Sequence, residues 1–201
     1  MRALQISHGG TILVTAGTPQ ATLLTCSLAW PVDEKWPRLD IGGMNKYGDG
    51  RMSHPYWFME LALQPGHTLE LRLVETGVAT PLEEERFTDT DDYRADQAEF
   101  ASTLIGPQPP HPPLERLAPQ ASLTLHLASI DPIAADLGDG SEWLFFNCMW
   151  GDHAPDECRI SLASKGSNEI QARRGGHDWF RGKLKLGESC RIDIGGSQGV
   201  N

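Results

Sequence analysis

No stretch of this 201-residue chain approaches the ~20 consecutive apolar residues that a membrane-spanning helix needs. Near the N-terminus the apolar run at residues 12–14 is too short for a signal-peptide core, and Gly9-Gly10 interrupts the approach to it. The expected compartment is therefore the cytoplasm. Cysteine is scarce: Cys26, Cys148, Cys158 and Cys190 are the whole set, and none lies in C-x2-C spacing. That argues against a zinc ribbon or a disulfide scaffold and predicts reduced, buried thiols. Positive charge is also in deficit, with 17 Lys and Arg against 27 Asp and Glu, a net charge of −10 and a pI near 5.1. Such a surface repels phosphate backbones, so nucleic acid is excluded as a partner.

Signatures of catalysis are missing too. There is no G-x-S-x-G, and the glycine pairs Gly9-Gly10, Gly42-Gly43, Gly175-Gly176 and Gly195-Gly196 lack the spacing of a phosphate-binding loop. Ser7-His8 and Ser53-His54 are neighbours in sequence only, and triad chemistry depends on geometry in space. Asp89-Thr90-Asp91-Asp92 resembles the opening of a calcium loop. Tyr93 and Arg94 then occupy its fifth and sixth positions, where an oxygen ligand and a glycine are required. These carboxylates are expected instead at the start of a helix, against the positive end of its dipole. No cofactor is expected.

What the chain does contain is punctuation and alternation. It holds 21 Gly and 14 Pro, which favour short strands and turns over long helices. Leu123, Leu125 and Leu127 alternate with Thr124 and His126, the period of a half-buried strand. Residues 142–150 form a nearly continuous apolar run that reads as a fully buried strand, and residues 159–163 and 169–172 read as further short strands. One helix is expected over residues 92–104, with Tyr93, Gln97, Phe100, Ala101 and Leu104 on one face, and Pro81 could open a short helical turn through Glu83 and Arg86.

Two blocks recur in order. Pro19-Gln20-Ala21-Thr22-Leu23 returns as Pro119-Gln120-Ala121-Ser122-Leu123. Trp57-Phe58, followed by a strand, the turn glycine Gly66 and a second strand, returns as Trp179-Phe180 followed by the turn at Gly187. Between the halves, five prolines in the seven residues 107–113 predict an extended spacer. The expected architecture is mainly β, or β-rich α+β. It comprises two similar sandwich-like or barrel-like modules, 1–106 and 114–201, related by internal duplication, and the two could pack as one pseudo-symmetric body.

For function, the densest feature is acidic. Residues 83–99 carry Glu83, Glu84, Glu85, Asp89, Asp91, Asp92, Asp96 and Glu99 against Arg86 and Arg94. The favoured reading is a non-enzymatic binding protein that docks a basic protein partner through this face, as an immunity or neutralising protein would. Trp30 and Trp36, around the loop-like residues 31–35, are candidate interface anchors, whereas Trp57, Trp143 and Trp179 read as core. Arg173 and Arg174, beside Gly175-Gly176, are the best anion-binding candidates. An alternative is a hydrolase or metal-dependent enzyme built on Asp152, His153, Asp156 and Cys158, although their spacing gives no paired-ligand pattern and Pro155-Asp156 suits a turn. A further alternative is an assembly subunit that lends an edge strand to a neighbour.

Overall fold

The computed structural model describes residues 1–103, 114–117, 120–137, 141–166 and 176–195, apart from the side chains of residues 59–62, 102 and 103. The proline-rich segment 107–113 and the strand expected at 169–172 lie outside the described residues. The first half contains β1 (Arg2–His8), β2 (Thr11–Ala16), β3 (Ala21–Pro31), β4 (Arg38–Lys46), β5 (Met52–Ala62), β6 (Thr68–Glu75) and β7 (Glu84–Phe87), then the helix α1 (Asp91–Thr103). The second half contains β8 (Ser122–Leu127), β9 (Ile130–Asp136), β10 (Trp143–Gly151), β11 (Glu157–Lys165), β12 (His177–Lys185) and β13 (Ser189–Gly195).

These strands form two antiparallel sheets, as the alternation of their side chains requires. One runs β2-β1-β6-β13-β8-β9 and the other β12-β11-β10-β3-β4-β5-β7. The protein is thus mainly β, with one helix among the described residues and a two-sheet, sandwich-like body. Both halves enter both sheets, through the pairs β6–β13 and β3–β10. Residues from both halves and both sheets form one buried cluster, including Leu4, Leu24, Trp30, Trp57, Leu71, Leu123, Phe146, Trp150, Leu162 and Ile192. Burying each large apolar side chain is worth about 1.5–3 kcal/mol relative to exposure, so alternation along so many strands suffices to drive the two sheets together.

Exchanging β1 with β8, β2 with β9, β3 with β10, β4 with β11, β5 with β12 and β6 with β13 leaves the order of both sheets unchanged, β7 being an addition at one edge. The correspondence extends to irregularities. The ladder shifts between Ile41 and Gly42 where β4 meets β5, with Ile41 opposite Phe58. It shifts in the same way between Leu162 and Ala163 where β11 meets β12, with Leu162 opposite Phe180. Gly66 and Gly187, with φ of 90° and 84°, make the matching turns before β6 and β13. The Trp57-Phe58 and Trp179-Phe180 blocks therefore lie on corresponding strands. The other repeated block does not: residues 19–23 lead into β3 in one sheet, whereas residues 119–123 lead into β8 in the other. Pro-Gln followed by an alternating strand is a generic strand entry, and its recurrence carries no positional meaning here.

Two local expectations need correction. Residues 143–151 alternate instead of being wholly buried: Leu144, Phe146, Cys148 and Trp150 face the core, while Trp143, Phe145, Asn147 and Met149 face outward. Residues 84–87 form strand β7 and no helical turn, because their backbone completes the ladder of β5 from Ser53 to Tyr56.

Candidate functional site

The acidic segment is anchored by a carboxylate that faces inward. Glu85 Oε1 accepts hydrogen bonds from Asn45 Nδ2 at 3.0 Å, Tyr47 Oη at 2.5 Å and Ser53 Oγ at 2.5 Å. Asn45 and Ser53 are buried, and Thr18 Oγ1 donates to Asn45 Oδ1 at 2.5 Å. Burial by itself would push the Glu85 carboxyl up, but the three donors outweigh it and hold Glu85 below the usual carboxylate range. Glu85 is thus a latch for β7 and not part of an outward acidic surface.

Beyond the latch, Thr90 caps α1: the Tyr93 N–H donates to Thr90 Oγ1 at 3.3 Å, and Asp91 and Asp92 occupy the first turn. The expected buried face of this helix is not buried. Gln97 and Ala101 are exposed, Phe100 is 60% exposed, and only Tyr93 is half-buried. Tyr93 stacks on His54 of β5, with ring centroids 5.5 Å apart and an interplanar angle of 16°, and its hydroxyl lies 3.1 Å from His54 Nε2. The helix therefore stands off the sheet. Within its acidic surface, Glu84 pairs with Arg86 at 2.7 Å and Asp91 with Arg94 at 3.2 Å. Glu83, Asp89, Asp92 and Asp96 are exposed.

The remaining expected residues scatter. Trp30 is 1% exposed, with its indole N–H donating to Glu34 O at 3.1 Å, so it presents no surface to a partner. Trp36 is half-buried under the Lys35 ammonium, 4.7 Å from its ring centroid. Asp152 and His153 are exposed in the β10–β11 turn, Asp156 is drawn to Arg2 at 2.7 Å, and Cys158 points into the core. Although Asp152, His153 and Asp156 share this turn, among the described residues no group of three or more His, Cys, Asp or Glu could hold a metal ion. Arg173 and Arg174 lie outside the described residues.

The structure assembles what the sequence did not reveal on the outer face of the seven-stranded sheet. Thr25, Gly42 and Tyr56 stand opposite one another on β3, β4 and β5. Phe145, Ala163 and Asp178 form the matching row on β10, β11 and β12. Each row crosses a cleft. The first, of about 380 Å³, is lined by Leu23, Asp40, Met44, His54 and Tyr56 among others. The second, of about 260 Å³, is lined by Phe145, Asn147, Ser161, Lys165, Asp178 and Arg181, with Ala163 at its floor. Small residues at the matching ladder shifts keep both floors open. A Cβ on Gly42 would lie 3.1 Å from Pro55 O and 3.2 Å from the Tyr56 ring, so a side chain there would require β5 to give by a few tenths of an ångström. The sequence signal that could have exposed this face was the polar Asn147 inside an otherwise apolar run.

A histidine–carboxylate pair lies on the opposite sheet, with His126 Nε2 2.7 Å from Asp193 Oδ2 and Thr68 Oγ1 donating to Asp193 Oδ1 at 3.0 Å. Arg191 Nη2 lies 3.2 Å from each ring nitrogen of His126. A base and its orienting acid are therefore present, but no described hydroxyl or thiol is hydrogen-bonded to the ring to act as nucleophile. The four thiols are free and buried. Burial pushes Cys26 up to about 12, far from the thiolate form that nucleophilic chemistry needs. No described helix is long and apolar enough to cross a membrane. No family model, no curated protein and no solved structure matches the chain.

Proposed function

We propose that this is a non-enzymatic binding protein that docks a basic protein partner through the β7–α1 arm, in the manner of an immunity or neutralising protein. The observation that carries the reading is the stance of α1: a helix held to the sheet through Tyr93 and His54, presenting Asp92 and Asp96 outward together with the neighbouring Glu83 and Asp89. Complementary charge of this kind accelerates and orients association. Among the described residues no group of three or more His, Cys, Asp or Glu could hold a metal ion, which favours the binding reading over a metal-dependent one built on Asp152, His153, Asp156 and Cys158. The common strand succession supports reading the halves as copies of one module, to which the acidic arm is an addition.

The test is affinity capture with the wild-type chain and with a Glu83→Lys, Asp89→Lys, Asp92→Lys variant of unchanged melting temperature. The reading expects a basic protein retained at low salt, released by raised salt and absent from the variant eluate. A partner held equally by both chains, or an acidic one, would overturn it.

A further inference from the structure

The two outer-face clefts share a cradle and differ in chemistry. In the first, Asp40, Met44 and Tyr56 occupy the places that Ser161, Lys165 and Asp178 hold in the second. The first cleft is thus aromatic and acidic. The second has cations: Lys165, which makes no ion pair with a described residue, and Arg181, which reaches Asp178 at 2.6 Å. Around it the outward side chains of β11 and β12 continue the trend, with Arg159, Lys183 and Lys185 against Glu157. On a protein of net charge −10 this is a local reversal of sign.

The second cleft also has an aromatic wall and polar groups. Phe145 stacks on Trp143, with centroids 5.7 Å apart and an interplanar angle of 4°, so the ring is fixed in orientation. Asn147 is held by Ser27, whose hydroxyl donates to its Oδ1 at 2.8 Å, which leaves the amide N–H groups to donate elsewhere. Ser161 adds a hydroxyl. A flat aromatic wall, an amide donor, Lys165 and an Arg181 held beside the Asp178 carboxylate leave one net positive charge in a small cleft, which matches one ligand chemistry, a planar ring bearing an anionic group. We infer that the cleft between β10, β11 and β12 is a binding site for a small aromatic carboxylate or phosphate, with the ring against Phe145 and the anion between Lys165 and Arg181. The first cleft, lacking both cations, does not take this ligand. The site is separate from the acidic arm and stands or falls apart from it.

The experiment is calorimetric titration of the full chain with phenyl phosphate, benzoate, inorganic phosphate and benzylamine. Phenyl phosphate and benzoate are expected to bind with one site per chain and to weaken with salt. Lys165→Gln and Arg181→Gln are each expected to reduce affinity about tenfold, the loss of one charge-assisted hydrogen bond. Phe145→Ala should weaken phenyl phosphate but not inorganic phosphate, and Asp40→Asn in the first cleft should change neither. Thermal melts show whether each variant is folded, and any that is not is replaced by Lys165→Met or Phe145→Leu. Benzylamine binding as well as benzoate, unchanged affinity in folded Lys165 and Arg181 variants, or no binding of either aryl anion at millimolar concentration would overturn the assignment. Equal affinity for inorganic and phenyl phosphate would overturn the role of Phe145. Preference for phosphate over benzoate identifies the phosphate as the favoured anion, and the reverse identifies the carboxylate.

Discussion

Ser27 and Asn147 face each other across the two central strands of the larger sheet, joined by a hydrogen bond of 2.8 Å from the Ser27 hydroxyl to Asn147 Oδ1. They sit at the seam between the halves, where β3 meets β10. Replacing Ser27 with Ala removes one neutral, half-buried hydrogen bond. The expected cost is about 0.5–1.5 kcal/mol, read as a lower urea midpoint with an unchanged slope. The same variant also frees the Asn147 amide to rotate, so it should weaken phenyl phosphate binding if the second cleft is occupied as inferred.

Glu85 gives a pH prediction with a definite sign. Its folded-state carboxyl lies below the ordinary range because Ser53, Tyr47 and Asn45 outweigh the burial that opposes them. Its contribution is therefore fully present above the unfolded carboxylate pKa of about 4.3 and is lost as pH falls through the depressed folded value. Glu85→Gln should destabilise at pH 7 and much less at pH 3. Melting curves across that window that run parallel for the two proteins would show that the latch does not act through its charge.

Gly43 and Gly48 separate two reasons for glycine. A Cβ on Gly43 would lie 2.3 Å from Leu23 O, backbone of the neighbouring strand, while one on Gly48 would meet nothing within 4 Å. Gly43→Ala must push β3 and β4 apart, and a loss of several kcal/mol is expected, on the order of 3. Gly48→Ala should be within about 0.5 kcal/mol of the parent. Chemical denaturation of the two variants in parallel provides the check.

Tyr93→Ala tests how α1 is held. The helix has 13 residues, near the length at which an isolated helix is marginal in water. Without the His54 contact the amides of α1 should exchange at close to unprotected rates, while those of β3 and β10 keep their protection. Retained protection in α1 would mean that the helix is secured by something other than Tyr93.

Trp150→Phe probes a feature common to both halves. The Trp150 indole N–H donates to Pro155 O at 3.0 Å, as Trp30 donates to Glu34 O, each tying the end of a strand to the turn that follows. Loss of the hydrogen bond and part of the ring is expected to cost roughly 2 kcal/mol, measured by denaturant unfolding.

The chain by itself marked many of the strands, although residues 84–87, read as a helical turn, form strand β7. Leu123, Leu125 and their counterparts alternate, Gly66 and Gly187 mark turns, and Asp91 and Asp92 open the one helix among the described residues, because these depend on local backbone and side-chain chemistry. It also carried the Trp-Phe blocks that fall on corresponding strands. Which strand pairs with which was decided only by the tertiary structure. Two Pro-Gln-Ala entries that look alike open strands in different sheets, since register and partner are set by long-range packing that no short motif records. The same limit hid the site. Whether Glu85 points out or in depends on Asn45, Tyr47 and Ser53 far back in the chain, and Phe145, Lys165 and Arg181 form one cleft only because β10, β11 and β12 lie side by side with a matching shift in their ladder.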